Sequence, residues 1–126
     1  MNRQKIENVL LLDDLERLEY FIRKVADFEE LWGAYEEGWL LLGDNSDKKF
    51  LPVWPEEDFA KNYIDENKAI ALPKRIELGH FFEKWLPGME NDGTDILVFP
   101  IKGSQGVVLP PSVLNEKLKE EMQQYD

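Results

Sequence analysis

From Leu11 the apolar positions fall at Leu11, Leu15, Leu18, Ile22 and Val25, spacings of four and three that lay one stripe along a helix. Phe21 and Phe28 widen the stripe, and Asp13, three residues before Glu16, has the spacing of a capping box. Residues 1–10 read as a frayed lead-in or an early turn of the same helix. The period changes at Leu31–Tyr35, which predicts a strand folding back through Glu36-Glu37-Gly38 onto Trp39–Leu42. A polar loop, Asp44 to Lys49, then separates the run ending at Gly43 from Phe50–Val53, the signature of a hairpin. Together these segments predict a three-stranded meander. Pro55 ends it, and Glu56, Glu57 and Asp58 suit the first turn of a helix that carries Phe59 and Tyr63 one turn apart.

The second half repeats the alternation. Ala69–Leu72 is an apolar run stopped by Pro73, and Lys74–Leu78 reads as a brief strand or an extended lead into the next helix. That helix carries Leu78, Phe81, Phe82, Trp85 and Leu86, and Pro87-Gly88 should end it before the turn at Asn91-Asp92-Gly93. Ile96–Phe99 and Val107–Leu109 form a strand pair across the Lys102–Gly106 loop. Pro110-Pro111-Ser112 opens a last helix, with Ser112 as its cap and Leu114, Leu118, Met122 and Tyr125 on one face. Strands grouped in hairpins with helices between the groups predict one α+β domain over residues 1–126. It should hold a mostly antiparallel sheet of about five strands with about three to four helices packed on it.

Charge narrows the partners. A formal net charge of −11, with acids spread along the whole chain, disfavours nucleic acid and anionic membrane and suits a basic protein partner. The chain has no cysteine, which excludes disulfides, thiol catalysis and cysteine zinc sites. Val9–Leu12 is too short for a membrane span, so a cytoplasmic location is expected. Monomer and homodimer both fit.

Candidate chemistry is sparse. His80 is the single histidine and has no nucleophile or orienting carboxylate beside it in sequence. Asp44–Asp47 and Asn91–Asp95 lack the alternating ligand pattern of a calcium loop, and Lys102–Gly106 lacks the helix that a phosphate loop feeds. No catalytic residue, metal or cofactor is expected. Trp54, at the switch from strand to helix, and the neighbouring Glu57 and Asp58 form the candidate binding surface, with Trp39 and Tyr63 as further contributors. An indole beside acids offers desolvated area and a charge that selects cations. The expected function is a non-enzymatic protein-interaction module, in its specific form an inhibitor or immunity-type protein. The alternative is an enzyme or small-ligand binder with a carboxylate-lined pocket near Trp54.

Several of these segments together resemble a known family. They are Trp32-Gly33, Gly38-Trp39, Pro52-Val53-Trp54-Pro55 with Phe59-Ala60, Phe81-Phe82 with Trp85-Leu86-Pro87, Asp92-Gly93, and Val98-Phe99-Pro100 before Gly106-Val107-Val108. In this set the chain is similar to a family of small bacterial proteins described as a domain of unknown function, DUF2750, from the first helix to Tyr125. The resemblance implies no activity, cofactor or catalytic residue. The layout is also similar to the amino-terminal half of the SseB-like proteins, a likeness of architecture alone.

Overall fold

The structure, a computed structural model, describes residues 2–44 and 46–125, the Tyr125 side chain excepted. Asn45 of the expected loop and the Tyr125 ring of the expected last stripe thus lie outside the described residues.

The first ten residues include a helix of their own rather than a lead-in. Helix α1 spans Arg3–Leu10, and the Asn2 side chain caps it by accepting from the Lys5 amide at 2.8 Å. Helix α2, Asp14–Phe28, starts at the expected capping box, in which Asp13 and Glu16 exchange bonds of 2.8 and 3.1 Å. Its buried stripe sits further along than the spacing predicts. Leu18, Ile22 and Val25 are in the core, but Leu11, which caps the end of α1, and Leu15, in the first turn of α2, are 84% and 67% exposed. Phe21, Tyr20 and Arg17 take the vacated share of the stripe.

Strand β1, Glu30–Tyr35, does not enter the expected meander. After the turn, residues 39 and 40 make only a single bridge to Tyr35 and one bond from the Leu40 amide to the Ala34 carbonyl. The reason is packing. The Trp39 ring folds over Gly33, where a Cβ would sit 3.0 Å from it, and meets Tyr35 and Trp85 edge to face. The hairpin that remains is short, β2 (Leu42–Gly43) against β3 (Lys49–Val53). Pro55 precedes Glu56, which is the capping residue rather than part of the first turn, and α3 runs Glu57–Glu66.

The segment after Pro73, expected as a brief strand or an extended lead, belongs to a full strand. β4, Leu72–Glu77, pairs antiparallel with β1 and carries Pro73 within it. Trp32 and Ala34 of β1 turn their backbone groups away from β4, so Pro73, opposite Ala34, points its missing N–H at the free edge. Helix α4 then passes straight through Pro87. It begins as an α turn at Leu78–His80, widens to a π turn at Phe81–Trp85, and continues as α-helix over Leu86–Asp92. The left-handed Gly93 closes it. β5 (Asp95–Val98) and β6 (Val107–Leu109) form the expected antiparallel pair. Helix α5, Pro111–Met122, starts two residues earlier than expected. Pro110 is in the cap position, and Ser112 makes no capping bond.

The fold is α+β, with strands in two sheets, β1-β4 and β2-β3-β5-β6. All pairings are antiparallel except β3 with β5, whose crossover contains α3, β4 and α4. The sheets meet at Trp32 and Trp54, which exchange backbone hydrogen bonds of 2.9 and 2.8 Å. One continuous core joins α2, α3 and α5 to both sheets. Among the described residues no helix is long and apolar enough to cross a membrane.

Candidate functional site

The five residues singled out by sequence fall in four different places. Trp54 is 0% exposed and belongs to the core, so its indole is not the surface anchor that its position at the corner suggests. It is a wedge: its ring packs on Tyr63 at 5.2 Å between centroids, and its Nε1 donates to the Pro100 carbonyl at 2.9 Å. Trp39 lies in the aromatic cluster with Tyr35 and Trp85, where the Lys74 ammonium sits 3.9 Å above the Tyr35 ring. Tyr63 lines a cleft on the outer face of the larger sheet.

Glu57 and Asp58 do line a depression together. It is an open groove of about 690 Å³ between the start of α1 and the strand-to-helix corner. The aromatic partner of these acids is Trp32, joined by Phe28, Glu30 and Glu56. Residues 30 and 32 share one side of β1 because strand residues alternate, and the Trp32 Nε1 donates to Glu30 at 3.1 Å. The other Glu30 oxygen accepts from Arg75 at 2.8 Å. Glu56 is fixed from behind by the Tyr20 hydroxyl, which donates to it at 2.5 Å. Burial and that carboxylate raise the Tyr20 phenol pKa far above its ordinary value. The groove is therefore acidic, with carboxylates held by bonds from α2 and β4, and among the described residues Lys5 is the one cation on its wall. Alternation within β1 could have placed Glu30 beside Trp32. Their meeting with residues 56–58 depends on the Trp32–Trp54 bridge, which no local pattern encodes.

Among the described residues neither depression is lined by a histidine. His80 is exposed at the start of α4. Among the described residues no three histidine or carboxylate side chains are grouped to hold a metal ion. One polar cluster has a buried member, Arg17, and an exposed rim. Arg17 is 3% exposed and donates to the Leu12 carbonyl, to Asp14 and to the Ser104 hydroxyl, while Ser104 in turn donates to Asp14. With the hydroxyl proton committed to Asp14 and the oxygen accepting from Arg17 and the Gly106 amide, Ser104 is a clasp between α2 and the β5–β6 loop.

A family profile fits this chain over residues 18–118, nearly everything except α1, the first turn of α2 and the last turn of α5. The chain belongs to DUF2750, a family of proteins of unknown function. The match to DUF2750 contains the acidic corner, the outer-face cleft and the Trp32–Trp54 joint, whereas Lys5 and Arg17 lie outside it. No curated protein and no solved structure matches, and nothing supports the likeness to the SseB-like amino-terminal domain.

Proposed function

We propose that this DUF2750 protein is a non-enzymatic interaction module that docks a basic segment of a protein partner in the groove below the strand-to-helix corner. The observation that carries this reading is the convergence of Glu30, Glu56, Glu57 and Asp58 around Trp32 and Phe28. The half-buried indole supplies area to desolvate, and the acids select and steer a cationic partner, an effect that the net charge of −11 reinforces at long range. An inhibitor or immunity-type role, in which the module neutralises a basic protein, is the specific form of the proposal.

The test uses a fluorescein-labelled peptide of alternating Lys and aromatic residues, followed by anisotropy at two salt concentrations. Binding should be saturable and weaken steeply with salt. The combined variant Trp32→Ala, Glu57→Gln, Asp58→Asn should reduce affinity by about tenfold or more and still fold, because these side chains lie at the surface or are only partly covered. A variant that folds and binds as tightly as the wild type would show that the corner is scaffold alone.

A further inference from the structure

The outer face of the larger sheet holds a second concavity, of about 310 Å³, lined by residues from β2, β3, α3, β5 and β6 and from the loop after β5. Its floor is apolar. Strand alternation turns Leu42 and Phe50 to the same side, with Leu97 and the 46% exposed Val108 beside them. The same alternation turns Lys49 to the opposite face, and the Lys48 ammonium, whose charge reaches Asp44, is held by the Gly93 carbonyl at 2.6 Å and by Asp95 at 3.4 Å. Among the described residues no cationic side chain lines the cleft, and the one carboxylate there is Asp44, held below its ordinary pKa chiefly by hydrogen bonds from Ser46.

The walls are built with unusual backbone. Phe99 has a left-handed φ of 56° immediately before Pro100, a conformation disfavoured for an aromatic residue and again for one preceding proline. That twist sends the Phe99 ring into the core, against Tyr20 and Phe59, and turns Pro100 to the cleft. The loop returns across the end of β5 so closely that a Cβ on Gly106 would stand 2.3 Å from the Val98 carbonyl, which sets the neighbouring Gln105 on the rim. Trp54 supports both walls, Tyr63 through ring packing and Pro100 through its indole N–H. Among the described residues the Tyr63 hydroxyl has no hydrogen-bond partner, and burial raises its pKa. Strain kept in a fold points to a ligand, and the Tyr63 hydroxyl, which is open to water, can bond one.

We infer that this cleft binds a small organic amine, its apolar body on Phe50, Leu97 and Val108 and its ammonium at the rim between Asp44 and the Tyr63 hydroxyl. The size suits a ring with a short chain. The lining contains a carboxylate and no cation, so an anion of the same shape is rejected. The inference is independent of the acidic groove, which shares no lining residue with this cleft.

The test is a titration of ¹⁵N-labelled protein with 2-phenylethylamine, and in parallel with phenylacetate and benzyl alcohol. The amine should move the amides of Gly43, Leu97, Gln105 and Val108 saturably, at concentrations where phenylacetate moves none. Asp44→Asn should weaken the amine by about threefold to fivefold, the loss expected for a solvent-exposed ion pair. Val108→Arg, a surface change that places a cation on the floor, should abolish binding without unfolding the chain. Glu57→Gln with Asp58→Asn should leave the amine affinity unchanged. The inference is overturned if the amine fails to saturate those amides, if phenylacetate binds as well, or if the corner variants weaken the amine as much as Asp44→Asn does.

Discussion

The Tyr20 phenol is 7% exposed and gives its proton to Glu56 at 2.5 Å, so ionising it would set a phenolate in the core against a carboxylate. Its pKa is raised by burial first and by Glu56 second. In the unfolded chain the same phenol titrates near its ordinary value, about 10. The unfolded state therefore loses its proton first, and stability falls as pH rises beyond that point. Below it the contribution is fully present. Tyr63, raised by burial, adds to the same trend. Urea denaturation at a series of alkaline pH values should show stability dropping above about pH 10, with a slope that Tyr20→Phe reduces. At neutral pH the same variant should cost about 1.5–3 kcal/mol, the scale for a hydrogen bond to a charged group. An unchanged alkaline slope in Tyr20→Phe would place the controlling titration elsewhere.

Among the elements, α4 shows how a local sequence signal can be read correctly and still mislead. Pro87 cannot sit in a regular helix interior, where it lacks a donor and collides with the carbonyl four residues back. The chain does not stop there. The π turn lets the Leu86 amide reach the Phe81 carbonyl, five residues back, and restarts the α pattern so that Pro87 falls in a first turn, where no donor is required. Pro87→Ala should consequently change stability by less than about 1 kcal/mol, whereas Glu90→Pro, at an exposed position in the next turn, should cost about 3 kcal/mol or more. Thermal denaturation of the two variants decides this; equal losses would mean that the π turn does not serve the proline. The helices whose signals are local, such as α2 with its Asp13–Glu16 box, were legible from spacing, as were β5 and β6. The partnership of β1 with β4 and the parallel register of β3 with β5 were not, because they join segments far apart in sequence through side chains such as Trp39 that choose packing over pairing. The acidic corner was half legible for the same reason: Glu57 and Asp58 follow from the helix start, but Trp32 arrives from another strand.

At the scale of the whole molecule the two sheets, the crossover helix α3 and the β5–β6 loop all meet at Trp54. Its backbone pairs with Trp32 of the small sheet, its ring packs on Tyr63 of α3, and its indole N–H holds Pro100 beyond the end of β5. The neighbouring Val53 carbonyl accepts from the Phe99 amide at 2.9 Å, so the strained corner is tied to the same point. A joint of this kind should make the sheets open as one cooperative unit. Hydrogen exchange is then expected to give the amides of Trp32, Trp54 and Phe99 a common opening free energy equal to that of global unfolding. Trp54→Phe keeps most of the wedge and strands the Pro100 carbonyl, at a cost of about 1–3 kcal/mol. Trp54→Ala empties a fully enclosed site and should cost about 3–5 kcal/mol, a large part of the stability of a domain this size. If the β1–β4 amides instead exchanged at a much lower free energy than Phe99, the sheets would be separate units. Their link through Trp32 and Trp54 would then be a contact without mechanical consequence. A shared value that splits into two on Trp54→Phe would locate the coupling in the indole bond to Pro100. A shared value that persists in that variant would locate it in the backbone pair with Trp32.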